Sequence, residues 1–258
     1  MNKITQILVD HNKITTLTLK GENNLNILNY QTIVKLKQVL TELDNDKSIE
    51  ALIITGHGSK AFCSGADISE LSNMDESLIE EYVETGMQTF LQIENFHAPV
   101  IAAINGYAFG AAFELLLSCD IRIISSSAII GQPAVRHGLI PPFGGLHRLP
   151  KIVGLGNAKY IIFSAEHLNA EEALRIGLVN KIYDSDILFE EVNKIAKQII
   201  KGKKYSLALS KNILNSSKYQ DTIDLEKNAL IDCLKNSETK SQLDSFFEQN
   251  KLKNKKPL

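Results

Sequence analysis

The most informative stretch of this sequence is PVIAAINGYAFGAAFELLLSC, residues 99–119. It is apolar and nearly as long as a membrane-spanning helix. Asn105 and Glu114 interrupt it, however, and a carboxylate inside a bilayer is costly. We therefore predict a buried strand over 100–104, a turn, and a buried helix over 111–118.

The sequence on both sides of this stretch alternates between strand and helix patterns. A helix is predicted over 31–43, because apolar residues recur there at intervals of three and four. Alternating strands and helices predict an α/β fold with parallel strand pairing. The further predicted strands are 7–9 and 14–19, joined as a hairpin by a polar turn, and then 51–55, 121–124 and 129–130. Beyond about residue 188 amphipathic helices predominate, for example around Leu225 and Leu234, so we place a boundary near residue 200.

The composition is that of an ordinary globular protein. The chain has 258 residues, of which 44% are hydrophobic and 22% are charged. Its formal net charge is -2, which gives no positive field for nucleic acid. Three distant cysteines and the absence of metal-ligand spacing predict neither disulfides nor a metal site. The N-terminus lacks the apolar run of a secretory signal, so we expect a cytoplasmic protein without a nucleic-acid or membrane partner.

Two turns stand out because small residues precede a predicted helix in each. The first is 60–68, after the strand at 51–55, and the second is 105–114, after the strand at 100–104. Each can present a free backbone N–H group at a helix N-terminus to an anionic oxygen. The thiol of Cys63 in the first turn is either a nucleophile or, as is typical of free cysteines, a small buried group.

Glu114 lies three residues after Ala111, so the two share one face of the predicted helix. A lone carboxylate in so apolar a helix costs several kcal/mol unless it is hydrogen-bonded or used in chemistry. Two interpretations remain open: an acid/base residue beside an N–H donor, or a structural glutamate bonded to nearby backbone.

Several segments carry a resemblance to a known family. They include 61–67 (AFCSGAD), 99–106 (PVIAAING), 114–121 (ELLLSCDI) and 138–150 (GLIPPFGGLHRLP). In this order and at this spacing they resemble the enoyl-CoA hydratase/isomerase (crotonase) family, and the likeness continues through 170–180. The resemblance implies a spiral of repeated strand-strand-helix units over residues 1–200. It also implies a C-terminal helical region, 201–258, that builds homotrimers, often paired into homohexamers.

The resemblance further implies a substrate and its site. The substrate is an acyl-CoA thioester, so coenzyme A enters as part of the substrate and no prosthetic group or metal is expected. The backbone N–H groups of Ala66 and Ala111 hold the thioester oxygen as negative charge develops on it, and Glu114 is the acid/base. The segment that continues along the CoA site, mostly through backbone atoms, comprises Asp67, Ile68 and Ser69. An acyl group carried by an acyl carrier protein fits the same chemistry.

The sequence departs from the family pattern at the second of the two family glutamates, where Ala134 stands. Ala111 and Ala112 also replace glycines that are common in relatives. Reversible hydration of an enoyl thioester, as in fatty acid metabolism, is the expected reaction, impaired by the loss of one carboxylate. The alternatives are double-bond isomerisation, decarboxylation of an acyl thioester, and a thioester-binding protein that has lost its chemistry. His137 is either a replacement proton donor or a loop residue in solvent.

Overall fold

The computed structural model of the protein describes residues 4–71 and 73–216, together with 237 and 241. The chain divides into one compact unit that ends at Ile199 and a second that begins at Ile200. Most of the predicted C-terminal region, 201–258, including the helix expected around Leu225 and Leu234, lies outside the described residues. No helix within the described ranges is both long and apolar enough to cross a membrane.

The strands and helices have the following bounds. The strands are β1 (Gln6–Asp10), β2 (Ile14–Lys20), β3 (Ala51–Gly56), β4 (Ala61–Cys63), β5 (Val100–Ile104), β6 (Tyr107–Phe109), β7 (Ile121–Ser125), β8 (Ile129–Gly131), β9 (His167–Asn169) and β10 (Lys181–Tyr183). The helices of the first unit are α1 (Tyr30–Asn45), α2 (Ile68–Leu71), α3 (Glu76–Glu94), α4 (Ala111–Ser118), α5 (Gly145–Ser164), α6 (Ala170–Arg175) and α7 (Leu188–Ile199). Two 3₁₀ turns, Glu22–Asn24 and Ala134–His137, complete this unit, and the second unit contains α8 (Lys204–Leu214).

The strands form two sheets, and the chain visits both sheets in each turn of a spiral. The larger sheet has the order β1-β2-β3-β5-β7-β10, and the smaller sheet has the order β4-β6-β8-β9. The consecutive pairs β3/β4, β5/β6 and β7/β8 are therefore divided between the sheets, and helices follow each pair. Pairing is parallel except between β1 and β2 and between β8 and β9. This arrangement confirms the predicted spiral of strand-strand-helix units.

The centre of the unit is strongly apolar. Every residue of β3 and β5 is buried, as expected for parallel strands that are covered on both faces. All residues of α4 are buried as well, so the helix that carries Glu114 lies inside the core. Among the largest fully buried side chains are Phe62, Phe90, Phe113 and Phe143.

The structure confirms each predicted strand and helix of residues 7–130 and adds elements between them. The three-residue strands β4 and β6 are too short to show a period of two. The long helix α3 has a broken apolar stripe, because Gly86 and Thr89 occupy two of its buried positions. After Pro133, helix α5 begins at Gly145 and runs through Pro150, with a kink at Gly154, where φ is 77°.

Candidate active site

The two turns singled out in the sequence lie side by side. The turn at Gly65 follows β4 and the turn at Gly110 follows β6, and these strands pair in parallel, which brings their carboxyl ends to one edge. Gly65 has a φ of +104°, and a Cβ atom there would lie 2.5 Å from the Phe109 carbonyl oxygen and 3.7 Å from the Ala111 nitrogen. Only glycine permits this backbone conformation together with so close an approach.

The backbone amides of Ala66 and Ala111 stand at these adjoining turns. Ala66 forms a short parallel bridge with Leu28. The Leu28 N–H in this bridge donates to the carbonyl oxygen of Gly65, at 2.9 Å, and not to a group of Ala66. Ala111 is the first residue of α4, and the carbonyl of Gly110 already accepts the Glu114 N–H at 3.1 Å. Neither the Ala66 nor the Ala111 N–H has an acceptor among the residues that the structure describes. Two such donors can hold one oxygen on which negative charge develops.

The two oxygens of the Glu114 carboxyl have different surroundings. Its side chain is fully buried, and Oε1 accepts the backbone N–H groups of Phe143 and Gly145, each at 2.8 Å. Oε2 is buried and has no hydrogen-bond partner within the described part of the chain. The structural interpretation made from the sequence therefore holds for Oε1, and the acid/base interpretation stays a prediction, which concerns Oε2.

Burial raises the pKa of Glu114 from its usual value of 4.5 to about 7, because the charged form loses its hydration. The two amide donors and the positive charge of Arg148 oppose that rise. A carboxyl group that is poised near neutrality can both accept and return a proton.

The turn that holds Glu114 is a feature that sequence reasoning did not identify. A Cβ atom at Gly145 would lie 2.8 Å from both Cγ and Oε1 of Glu114, so only a glycine leaves room for the carboxyl there. Arg148, on the first turn of α5, donates from Nη1 to the Phe143 carbonyl oxygen at 2.8 Å and from Nε to Glu94 Oε2 at 2.7 Å. The segment 138–150 was noted for its resemblance, but no local pattern shows which carboxylate its amides face.

Tyr82 of α3 forms part of the wall beside this turn. Its ring packs against that of Phe143 with centroids 5.1 Å apart. Burial, and then the negative charges of Glu70 and Glu114, raise the pKa of the Tyr82 hydroxyl, so it stays protonated near neutral pH. No regular spacing of apolar residues around Tyr82 predicted its position.

The remaining predicted site residues form a local turn. Asp67 Oδ1 accepts the N–H of Ser69 at 3.0 Å and the hydroxyl of Ser69 at 2.6 Å, which caps the start of α2. The side chain of Ile68 is exposed. The carboxylate of Asp67 thus bonds within its own segment, an arrangement that fits contacts to a ligand through backbone atoms.

The position of the second family glutamate contains no replacement carboxyl. Ala134 opens the 3₁₀ turn, and His137 at its end is exposed to solvent. Just before it, Gln132 is buried, donates from Nε2 to the Gly110 carbonyl at 3.2 Å, and leaves Oε1 without a partner in the described residues.

Burial raises the pKa of the Cys63 thiol to about 12. This favours the interpretation of Cys63 as a small buried group over its interpretation as a nucleophile. No group of metal-ligating side chains occurs in the described ranges.

Several known proteins are similar to this chain in sequence and in fold. A family model described as enoyl-CoA hydratase/isomerase matches residues 10–256. The chain is 38% identical to the short-chain-enoyl-CoA hydratase of Clostridium acetobutylicum over 249 residues, which cover 95% of each protein. It is also 38% identical over 248 residues to the crotonyl-CoA hydratase of Syntrophomonas wolfei, again covering 95% of each. The crystal structure of enoyl-CoA hydratase from Bacillus anthracis superposes with a TM-score of 0.90 at 31% identity, covering 94% of this chain and 96% of that one.

Proposed function

Because the chain belongs to the enoyl-CoA hydratase/isomerase family, we propose that it adds water reversibly to the double bond of a short-chain enoyl-CoA. The observation that carries this proposal is the carboxyl of Glu114, which is fixed through Oε1 and unpartnered at Oε2. The short acyl chain is proposed from the names of the two relatives that are 38% identical.

The amides of Ala66 and Ala111 would bind the thioester oxygen. When water attacks C3 of the enoyl group, the electron pair of the double bond moves toward that oxygen and forms an enolate. Preorganised N–H donors stabilise such charge, and one donor lowers the barrier by about 3 to 4 kcal/mol. Both amides belong to the backbone, so the alanine side chains at these positions do not remove them.

Glu114 would act as the single proton shuttle. Its ionised Oε2 accepts a proton from water as the water oxygen bonds to C3, and the carboxylic acid then returns that proton to C2 as the enolate collapses. All atoms of water are thereby added to the substrate. A pKa of about 7 suits both steps, because neither protonation state is strongly disfavoured at neutral pH.

Double-bond isomerisation is the second candidate, and Ala134 is the observation that favours it. Moving a proton between C4 and C2 of an enoyl thioester needs one carboxyl only, and Glu114 supplies one. The absent second acid or base is worth about 10² to 10⁴ in the rate of hydration. Hydration is placed first because the similar proteins named above are hydratases.

One assay separates these functions. Purified protein is mixed with crotonyl-CoA, a 3-enoyl-CoA and malonyl-CoA, and the products are identified by mass and chromatography. Formation of 3-hydroxybutyryl-CoA from crotonyl-CoA supports hydration, and conversion of only the 3-enoyl-CoA supports isomerisation. Decarboxylation of malonyl-CoA, or tight binding of every thioester without turnover, would refute both.

The finer expectations also remain proposals. Coenzyme A, rather than an acyl carrier protein, is proposed as the acyl carrier, and Asp67, Ile68 and Ser69 as part of its binding segment. A homotrimer or homohexamer built through residues 201–258 and a cytoplasmic location are proposed as well. Sedimentation of the purified protein tests the oligomeric state.

A further inference from the structure

Glu114 is positioned by the turn at the start of α5. The two amides that bond Oε1 belong to Phe143 and Gly145, on either side of Gly144. Gly144 has a φ of +90°, a conformation that disfavours side chains. Both amides can bond the same oxygen only if the backbone of this turn is held in place.

Arg148 holds that turn from the first turn of α5. Its Nη1 donates to the carbonyl of Phe143 at 2.8 Å, and its backbone N–H donates to the carbonyl of Gly144 at 3.0 Å. A Cβ atom at Gly144 would lie 2.5 Å from Nη1, so the guanidinium lies directly against the turn. The Arg148 side chain therefore supports the backbone that supports the carboxyl.

Glu94 fixes the other edge of the guanidinium. Its Oε2 lies 2.7 Å from Nε, and the two side chains are 11% and 26% exposed for arginine and glutamate, respectively. Glu94 is the last residue of α3, where a negative charge is unfavourable with respect to the helix dipole. Its placement there is not explained by helix stability, but the ion pair with Arg148 accounts for it.

We infer that Arg148 and Glu94 are positioning residues for Glu114, which direct its Oε1 onto two amides and so leave Oε2 to exchange protons. This inference rests on the proposed function. The planar guanidinium donates in two directions at once, to Glu94 and to the Phe143 carbonyl. The ammonium of lysine keeps the charge but cannot reproduce this fixed fork.

Charge gives the arrangement a second consequence. In the described part of the chain, the titratable groups that interact with Glu114 are Arg148 on α5 and Tyr82 on α3, and Tyr82 in turn interacts with Glu70, Cys63 and Asp67. Burial raises the pKa values of Tyr82 and Cys63, so both stay neutral near pH 7, whereas Glu114 has a pKa of about 7 and titrates there. Removing the positive charge and loosening the amides both raise the pKa of Glu114.

The test compares Arg148→Gln, Arg148→Lys and Glu94→Ala with the wild type. We expect kcat for crotonyl-CoA to fall between about 10-fold and about 100-fold in each, as a misplacement of about 1 Å can cause. We also expect the acidic limb of the kcat/KM profile to move to higher pH, furthest in Arg148→Gln. Arg122→Lys is the control, because Arg122 is also an arginine with little exposure, 7%, whose guanidinium donates to backbone carbonyls, those of Leu178 and Cys119. Arg122→Lys should lower the stability of the protein without moving the acidic limb of the kcat/KM profile.

A direct titration keeps the inference testable apart from the reaction. The infrared carboxyl band that is absent from Glu114→Gln reports the protonation of Glu114. When this band is followed against pH, the midpoint of the titration should lie at higher pH in Arg148→Gln than in the wild type. A wild-type protein that turns over no thioester would refute the proposed function and leave this titration to decide the inference. An unchanged midpoint in folded Arg148→Gln, or an equal rise in Arg122→Lys, would overturn it. If Arg148→Gln does not fold, wild-type kcat and midpoint in Arg148→Lys would overturn it instead.

Discussion

The substitution Glu114→Gln separates catalysis from stability. Glutamine has the same shape, and its carbonyl oxygen can accept the amides of Phe143 and Gly145 as Oε1 does. An NH₂ group then replaces Oε2, which puts a donor where a proton acceptor is needed. We expect turnover of crotonyl-CoA to fall by about 10² to 10⁴, the usual contribution of a positioned general base.

The same substitution, Glu114→Gln, should increase the stability of the folded protein above pH 7. The pKa of Glu114 is raised from 4.5 in the unfolded chain to about 7 in the folded protein. The protonated carboxyl therefore contributes fully to the free energy of unfolding below pH 4.5, and this contribution is lost as the pH rises through 7. At about 1.4 kcal/mol per pH unit, the loss is roughly 3 kcal/mol. Above pH 7 the neutral glutamine escapes this loss, so Glu114→Gln should unfold at a higher denaturant concentration than the wild type, with a smaller difference at pH 5.

The assay pairs initial rates with chemical denaturation at pH 5 and pH 8.5. Glu172→Ala is the control, since it breaks the capping box in which Glu172 Oε2 accepts the Asn169 N–H at 3.0 Å. The control should lose about 1 kcal/mol of stability and retain its activity. Full activity in Glu114→Gln would refute the assignment of the proton shuttle. A variant less stable than the wild type at pH 8.5 would refute the account of the buried charge.

Three further substitutions test the rest of the site. Ala111→Pro removes one amide N–H at a helix position that tolerates proline, so activity should fall by about 10² to 10³; Ala170→Pro, at the same position of α6, is the matched control and should retain activity. Ala134→Glu should raise crotonyl-CoA turnover, by up to about 10², if the missing carboxyl limits hydration, and an unchanged or lower rate would contradict that explanation. Gly145→Ala should displace the Glu114 carboxyl, because the new Cβ would lie 2.8 Å from it. The rate of crotonyl-CoA turnover should fall, with only a small change in the free energy of unfolding. Unchanged kinetics would show that the contact is relieved without cost.

The fold was predictable wherever one pattern extended over a whole element. The stretch 99–119 combines an apolar strand, a polar turn and an apolar helix, and the structure has each of them within a residue of its predicted bounds. The three-residue strands β4 and β6 show no such pattern and were found only in the structure. The helix α5 continues through Pro150, whose chemistry predicts a break.

The site was predictable only where its chemistry is local. A carboxylate in an otherwise apolar segment makes Glu114 a candidate from composition alone. Its partners are 29 and 31 residues further along the chain, at Phe143 and Gly145, and only the fold determines that their amides face it. The same holds for Arg148 and Glu94, which are 54 residues apart.

The central claim concerns the bond that a bound thioester makes to two backbone amides. Isotope-edited infrared spectroscopy of crotonyl-CoA labelled with ¹³C at its carbonyl, bound to the slow variant Glu114→Gln, measures that bond directly. We predict that the carbonyl stretch moves to lower frequency on binding and returns most of the way when Ala111→Pro is added. A thioester bound to Glu114→Gln whose carbonyl absorbs at its frequency in water, or a shift that Ala111→Pro leaves unchanged, would contradict the account.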